Sequence, residues 1–232
     1  MTPIGLPLPQ VVPTLDGDRV RLRAGRPGDA AVIARLGIDP AVMRLHGAGD
    51  VARRGLTQAE AALVLDRLVS TSSSQGWVIE AGGRVVGNAK LFAVDPDERR
   101  ARYSIGLFSK ELTRRGLGRE ATRLVLTYAF AVLGLHRVAL RVLGFNAVAI
   151  ACFRACGFVE EGREREAVWF DDAWQDIATM GVLDREFAEF AASQPECGRL
   201  SGLARVLRQE LGLPERAAVP AGPARPGPGA PP

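Results

Sequence analysis

"TRRGLGREATRLVLTYAFAVLGL", residues 113–135, decides the fold. Gly116 and Gly118 lie among Arg114, Arg115 and Arg119, and the apolar residues that follow recur at helical spacing. The stretch therefore reads as a glycine loop opening a helix over about 117–133. Glycine lets the backbone come close to a bulky partner, and a helix start presents unpaired N–H groups with partial positive charge. That combination is an anion site. An ordinary glycine turn before an arginine-flecked surface helix has the same local look, so the flanking sequence has to separate the two.

Upstream, residues 76–108 read as three strands, 76–81, 84–94 and 100–108, joined by the Gly82-Gly83 turn and by "DPDE", an antiparallel meander. Downstream, "HRVALRVL" is a strand, 146–156 a helix, and "GFVEEGREREAVWF" with "AWQDIATMGVL" a final hairpin turning at Asp171-Asp172. Ahead of the meander come a strand at 18–24 and two helices, the second capped by Thr57 with Glu60 three residues on. The order β α α β β β α β α β β implies an α/β fold: a mixed, mostly antiparallel central sheet flanked by helices, the long helix serving as a parallel crossover.

The chain divides accordingly. Residues 1–13, rich in proline, form a flexible N-terminal arm, and 14–185 one domain. Residues 186–213 form a C-terminal helical extension, and 214–232 a Pro/Gly/Ala tail that cannot bury a core and is expected to be disordered. In the extension Leu200, Leu203, Val206, Leu207 and Leu211 recur on one face. That stripe has to dock on the core or on a second subunit, as in a homodimer.

At 232 residues, 47% hydrophobic and 24% charged, the chain supports one substantial core. All but two of its 30 basic residues are arginines, the lysines being Lys90 and Lys110, and they are scattered among 26 acidic residues. This is no basic stripe interleaved with aromatics, so no nucleic-acid partner is expected. No long uncharged apolar run points to a membrane, and the start "MTPIGLPLPQVVP" lacks a basic n-region. The expectation is a soluble, cytoplasmic protein. Cys152, Cys156 and Cys197 make no disulfide framework and, with His46 and His136 dispersed, no metal site; Cys152 and Cys156 read as buried small side chains.

"YSIGLF", "RRGLGREATRLVLTYAF", "LGLHRV", "GFNAVAIACFRACGFVEEGREREA" and "MGVL" occur in an order and spacing that resembles the GCN5-related N-acetyltransferase (GNAT) family, in its branch of ribosomal-protein-alanine and spermidine acetyltransferases. The resemblance runs from about 17 to 183 and implies the GNAT acyl-CoA acyltransferase fold, with acetyl-CoA as cosubstrate and no metal. It places the pyrophosphate on the backbone N–H groups of Arg114, Arg115, Gly116, Leu117, Gly118 and Arg119. A diphosphate there gains from oriented donors and from the helix dipole, and arginine side chains can add charge-assisted bonds. The pantetheine arm would lie in a gap between splayed strands, along Ile105, Gly106 and Leu107, as an added strand would. Asn146 matches the asparagine that meets that arm, and is equally an N-cap.

Three departures bear on chemistry. Thr113 stands where the family has glutamine or arginine, with Arg114 adjacent to supply charge. Phe153 stands where many relatives carry the tyrosine that protonates the departing thiolate, and Ser104 where relatives often have glutamate. The catalytic residues are therefore unassigned. Direct attack of a neutral primary amine on the thioester is implied, helped by proximity and backbone donors. Glu98, Glu161 and Glu164 are candidate proton acceptors or plain surface charges.

The resemblance lets the first two helices and the last hairpin wall the acceptor pocket, which nominates His46, Asp171 and Asp172 for the substrate, with Trp169 as a packing residue. An acidic turn attracts a cationic amine, and it is also ordinary turn chemistry. Three readings follow: an acetyltransferase for a small primary amine, a protein N-terminal acetyltransferase, and a non-catalytic acyl-CoA-binding sensor or scaffold suggested by Phe153 and Ser104.

Overall fold

The computed structural model describes residues 8, 9, 11–36, 39, 42, 44, 57–66, 68, 71–194 and 198–213. Its strands are β1 (Leu15–Asp16), β2 (Arg21–Arg23), β3 (Gln75–Ala81), β4 (Arg84–Asp95), β5 (Arg100–Leu107), β6 (Arg137–Leu143), β7 (Val159–Phe170) and β8 (Ala173–Leu183). Its helices are α1 (Asp29–Leu36), α2 (Gln58–Asp66), α3 (Leu117–Thr127), α4 (Ala147–Arg154), α5 (Asp184–Ser193) and α6 (Gly198–Glu210). The strands form one sheet in the order β1-β2-β3-β4-β5-β6-β8-β7, antiparallel except where α3 carries the chain across to make β5 and β6 parallel.

Alternation along β3 sorts the two faces of the sheet. Trp77 and Ile79 enter the main core with α3, α4 and the C-terminal helices, while Val78 joins Ile33 of α1, Leu68, Val85 and Phe108 in a second cluster. Helix α3 is the centre of the main core: Ala121, Leu124, Val125 and Leu126 are fully buried, and each such leucine stabilises the fold by about 1.5–3 kcal/mol.

Three elements differ from the sequence expectation. The strand expected at 18–24 narrows to 21–23 and gains a two-residue partner, β1. The helix expected to run to 133 is α-helical only to Thr127 and continues as a π-helical turn, Tyr128–Val132, in which the Leu133 N–H reaches the Tyr128 carbonyl. Its loosened carbonyls have a taker, since the buried Arg208 of α6 donates Nη1 to the oxygens of Ala131 and Val132 at 3.2 and 2.9 Å.

The arm expected to be flexible is held wherever it is described. Leu8 is buried, Gln75 Nε2 donates to the carbonyls of Pro9 and Val11, and Trp77 Nε1 donates to that of Pro13. The tail 214–232 lies outside the described residues. Among the described residues no helix is long and apolar enough to cross a membrane.

Candidate active site

β5 and β6 pair only over Arg100–Arg102 with Arg137–Ala139. Beyond that point β5 stays with β4, as far as Leu107 opposite Gly87, while β6 follows β8, as far as Leu143 opposite Ile177. The strands part, and a cleft of about 540 Å³ opens between them. Ile105 and Leu107 form one wall, Asn146 to Ala149 and Ala151 to Phe153 the other, and the loop before α3 with the first turn of that helix closes one end with Thr113, Arg114, Gly116, Gly118 and Arg119.

The loop is shaped for an anion. Ser109 caps a short 3₁₀ turn, Lys110–Leu112, and Thr113 Oγ1 donates to the Lys110 carbonyl at 2.6 Å, which fixes the entry. Arg114 and Gly116 then both take left-handed backbone, at φ 59° and 79°. Alternation into that region makes successive N–H groups converge on a concavity that binds anions. For Arg114 it costs on the order of 1–2 kcal/mol, whereas glycine adopts it freely. The first bond within α3 runs from the Glu120 N–H to the Gly116 carbonyl, so the N–H groups of Leu117, Gly118 and Arg119 have no partner within the helix.

Eight of the eleven residues expected at the cosubstrate line the cleft. Ile105, Leu107, Arg114, Gly116, Gly118, Arg119, Asn146 and Phe153 are brought together on the cleft wall, whereas Gly106, Arg115 and Leu117 are not part of it. Gly106 alternates with Ile105 and Leu107 and belongs to the opposite face. Leu117 is buried in the main core, and the Arg115 carbonyl is turned towards Arg19, whose Nη1 donates to it at 2.8 Å. Asn146 caps α4, its Oδ1 accepting from the Ala149 N–H at 3.0 Å, while still bordering the cleft.

Phe153 sits where the cleft meets the core, edge-on to Tyr103 at 6.5 Å and to Phe158 at 5.7 Å between ring centres. Tyr103 is no substitute acid: it is buried away from the cleft wall, shares a 3.1 Å hydrogen bond with Thr122 Oγ1, and burial pushes its phenol pKa well up. Cys152, expected to be buried, is partly exposed on the cleft wall, whereas Cys156 is enclosed. The neighbouring Cys156 thiol holds the Cys152 pKa below the ordinary thiol range, against the effect of burial and with help from Arg119 and Arg123, while proximity to Cys152 and burial raise that of Cys156, whose Sγ donates to the Arg119 carbonyl at 3.6 Å.

The carboxylates considered as proton acceptors are elsewhere. Glu161 is bound by both terminal nitrogens of Arg137, Glu164 pairs with Arg141, and the Glu98 N–H donates to Asp95 in the β4–β5 turn. Among the described residues no Asp or Glu lines the cleft. Ser104 is exposed on β5 opposite Lys90, and it too is absent from the wall.

Of the substrate nominees, His46 lies outside the described residues. Asp171 and Asp172 are the two central residues of the β7–β8 turn, at φ 54° and 57°, the primed geometry that twists with the strands. Asp171 is paired with Arg44, so the turn's acidity is half neutralised. Trp169, expected to pack, does so across the hairpin and not in the core: it is 58% exposed and meets Trp174, ring centres 5.4 Å apart.

Residues 19–159 match the acetyltransferase (GNAT) domain family. Spermidine N(1)-acetyltransferase of Vibrio cholerae is 28% identical over 120 residues, which is 51% of this chain and 69% of that protein. The Escherichia coli K12 spermidine N(1)-acetyltransferase is 27% identical over 122 residues, 53% of this chain and 65% of its own length. The fold is shared with the crystal structure of spermidine N-acetyltransferase from Vibrio cholerae in complex with CoA and spermine, at TM-score 0.63 and 24% identity, covering 74% of this chain and 99% of that one.

Proposed function

We propose that this chain, which belongs to the GNAT acetyltransferase family, transfers the acetyl group of acetyl-CoA to a primary amine of a small molecule, with the loop 113–119 as the pyrophosphate cradle. One observation carries the reading: a left-handed, arginine-flanked loop at a helix start opens into the gap between two parting strands. Diphosphate suits the unpaired N–H groups of α3, and the unpaired edge of β5 at Ile105 to Leu107 suits an amide-bearing arm.

Acetyl-CoA supplies an activated thioester, and the chain's residues align it. Backbone donors at the parted strands can stabilise negative charge developing on the carbonyl oxygen. Phe153 offers no proton, but a thiol with an ordinary pKa of about 8.5 is a tolerable leaving group without one. With no carboxylate on the described wall, water accepts the proton of the attacking amine. The names of the Vibrio and Escherichia relatives favour a polyamine-like acceptor.

A thiol-release assay over polyamines, other small amines and peptides with free N-termini tests the reading. Acceptor-dependent release with small cationic amines is the expected result. Release only with peptides would favour a protein N-terminal substrate, and CoA binding without acceptor-dependent release would leave a sensor.

A further inference from the structure

We infer that Arg19 is a positioning residue for the phosphate cradle, holding the loop 113–119 in its anion-binding shape from behind. The inference rests on the acetyl-CoA reading of the cleft. Arg19 lies in the turn between β1 and β2, 96 residues before its partner in the loop, and makes one bond to the loop and two to the first turn of α3. Nη1 donates to the Arg115 carbonyl at 2.8 Å, Nε to Glu120 Oε2 at 3.1 Å, and the backbone N–H to Glu120 Oε1 at 2.8 Å. A Cβ built on Gly116 would stand 2.6 Å from Arg19 Nη2 and 3.3 Å from Cζ. The guanidinium is thus packed where a side chain at 116 would be.

Each contact removes a different freedom from the loop. In a trans peptide the carbonyl and the following N–H point in opposite directions. Binding the Arg115 carbonyl therefore turns the Gly116 N–H away from Arg19. The paired bonds to Glu120 tie the first turn of α3 to the same β-turn, so loop and helix start move as one piece. They also neutralise a carboxylate one turn from the helix end that is to receive phosphate, where it would otherwise compete with the ligand.

Stability is not what these contacts supply. The Arg19 side chain is 58% exposed, and ion pairs at that exposure contribute little. Their effect is to prepare the loop for the ligand, which lowers the ordering cost of binding.

Calorimetric titration with CoA and with pantetheine, which keeps the arm and lacks every phosphate, tests this on Arg19→Ala and Arg19→Lys. Arg19→Ala should lose at least tenfold in CoA affinity and less than about twofold for pantetheine, with the melting temperature shifted by no more than about 2 °C. Arg19→Lys keeps the charge but not the fork, and should behave as the alanine variant does. Unchanged CoA affinity in Arg19→Ala, or full rescue by lysine, would overturn the positioning role. Equal losses for both ligands, or loss of the fold in both variants, would show a general structural role and overturn it as well. Failure of the unaltered protein to bind CoA is a separate result that removes the acetyl-CoA reading itself.

Discussion

A Cβ built on Gly118 would lie 3.8 Å from Cys152 Sγ and 3.8 Å from Leu107 Cδ1, in ordinary contact on both sides. The protein itself therefore does not require glycine there, and the space in front of Gly118 belongs to the cleft. Gly118→Asp should fold normally while setting a carboxylate against the pyrophosphate site. CoA affinity should fall at least tenfold, about 1.4 kcal/mol. Calorimetry showing unchanged CoA binding in the folded variant would displace the cradle from loop 113–119.

Phe153→Tyr places a phenol on a ring that already borders the cleft and is supported edge-on by Tyr103 and Phe158. With a proton donor restored, turnover on any accepted amine should rise while CoA affinity stays within about twofold, a change confined to the chemical step. Steady-state kinetics showing flat or reduced turnover would mean that Phe153 only packs and that solvent protonates the thiolate.

What the sequence revealed of this site follows from distance along the chain. The loop was legible because Arg114, Gly116, Gly118 and Arg119 are contiguous and run straight into a periodic helix. The parting of β5 and β6 came with the family resemblance; no single residue encodes it. Arg19 could not be found, because nothing local in "LDGDRVRL" points to a loop 96 residues away. The π-helical turn was hidden for the same reason: apolar residues at 128–132 fit either helix, and the arginine that takes its carbonyls is Arg208. Cys152 and Cys156 share one apolar spacing in the sequence, but α4 ends at Arg154, so Cys152 borders the cleft from the helix while Cys156 is enclosed beyond its end.

Arg23 and Asp29 form a forked ion pair, 6% and 7% exposed, with bonds of 2.7 and 2.9 Å, and Arg23 Nε also reaches Glu80 at 2.7 Å. Burial raises the Asp29 pKa, but the bonds from Arg23 and from the Arg26 N–H outweigh it and leave the carboxyl below its ordinary value. The pair's stabilisation is therefore present above the unfolded carboxyl pKa, near 3.9, and is lost as pH falls through the lower folded value. Arg23→Ala leaves a buried carboxylate uncompensated and should cost about 3–5 kcal/mol at neutral pH. Because burial alone raises the Asp29 pKa, the deficit should shrink towards about pH 4. Urea unfolding at both pH values checks this, and a deficit of equal size at each would mean that Arg23 acts through packing alone.

Among the described side chains of the α6 stripe, Leu203, Leu207 and Leu211 pack within the same chain. Leu207 is 1% exposed in the main core, Leu203 and Leu211 pack beside it, and Arg208 binds the π-turn carbonyls. Val206, placed on the stripe by its spacing, is instead 49% exposed, because the helix is rotated to put Leu207 and Arg208 innermost. Removing 198–232 would uncover the buried face of α3 and the π turn, losing about 1.5–3 kcal/mol for Leu207 alone and about 1 kcal/mol for each hydrogen bond from Arg208. At the 2–4 °C per kcal/mol usual for a chain of this size, the melting temperature should fall by roughly 10 °C. Removing only 214–232, which has no apolar pattern to bury, should change it by no more than about 2 °C. Equal melting temperatures for 1–197 and 1–213 would show that α6 rests on the core without holding it.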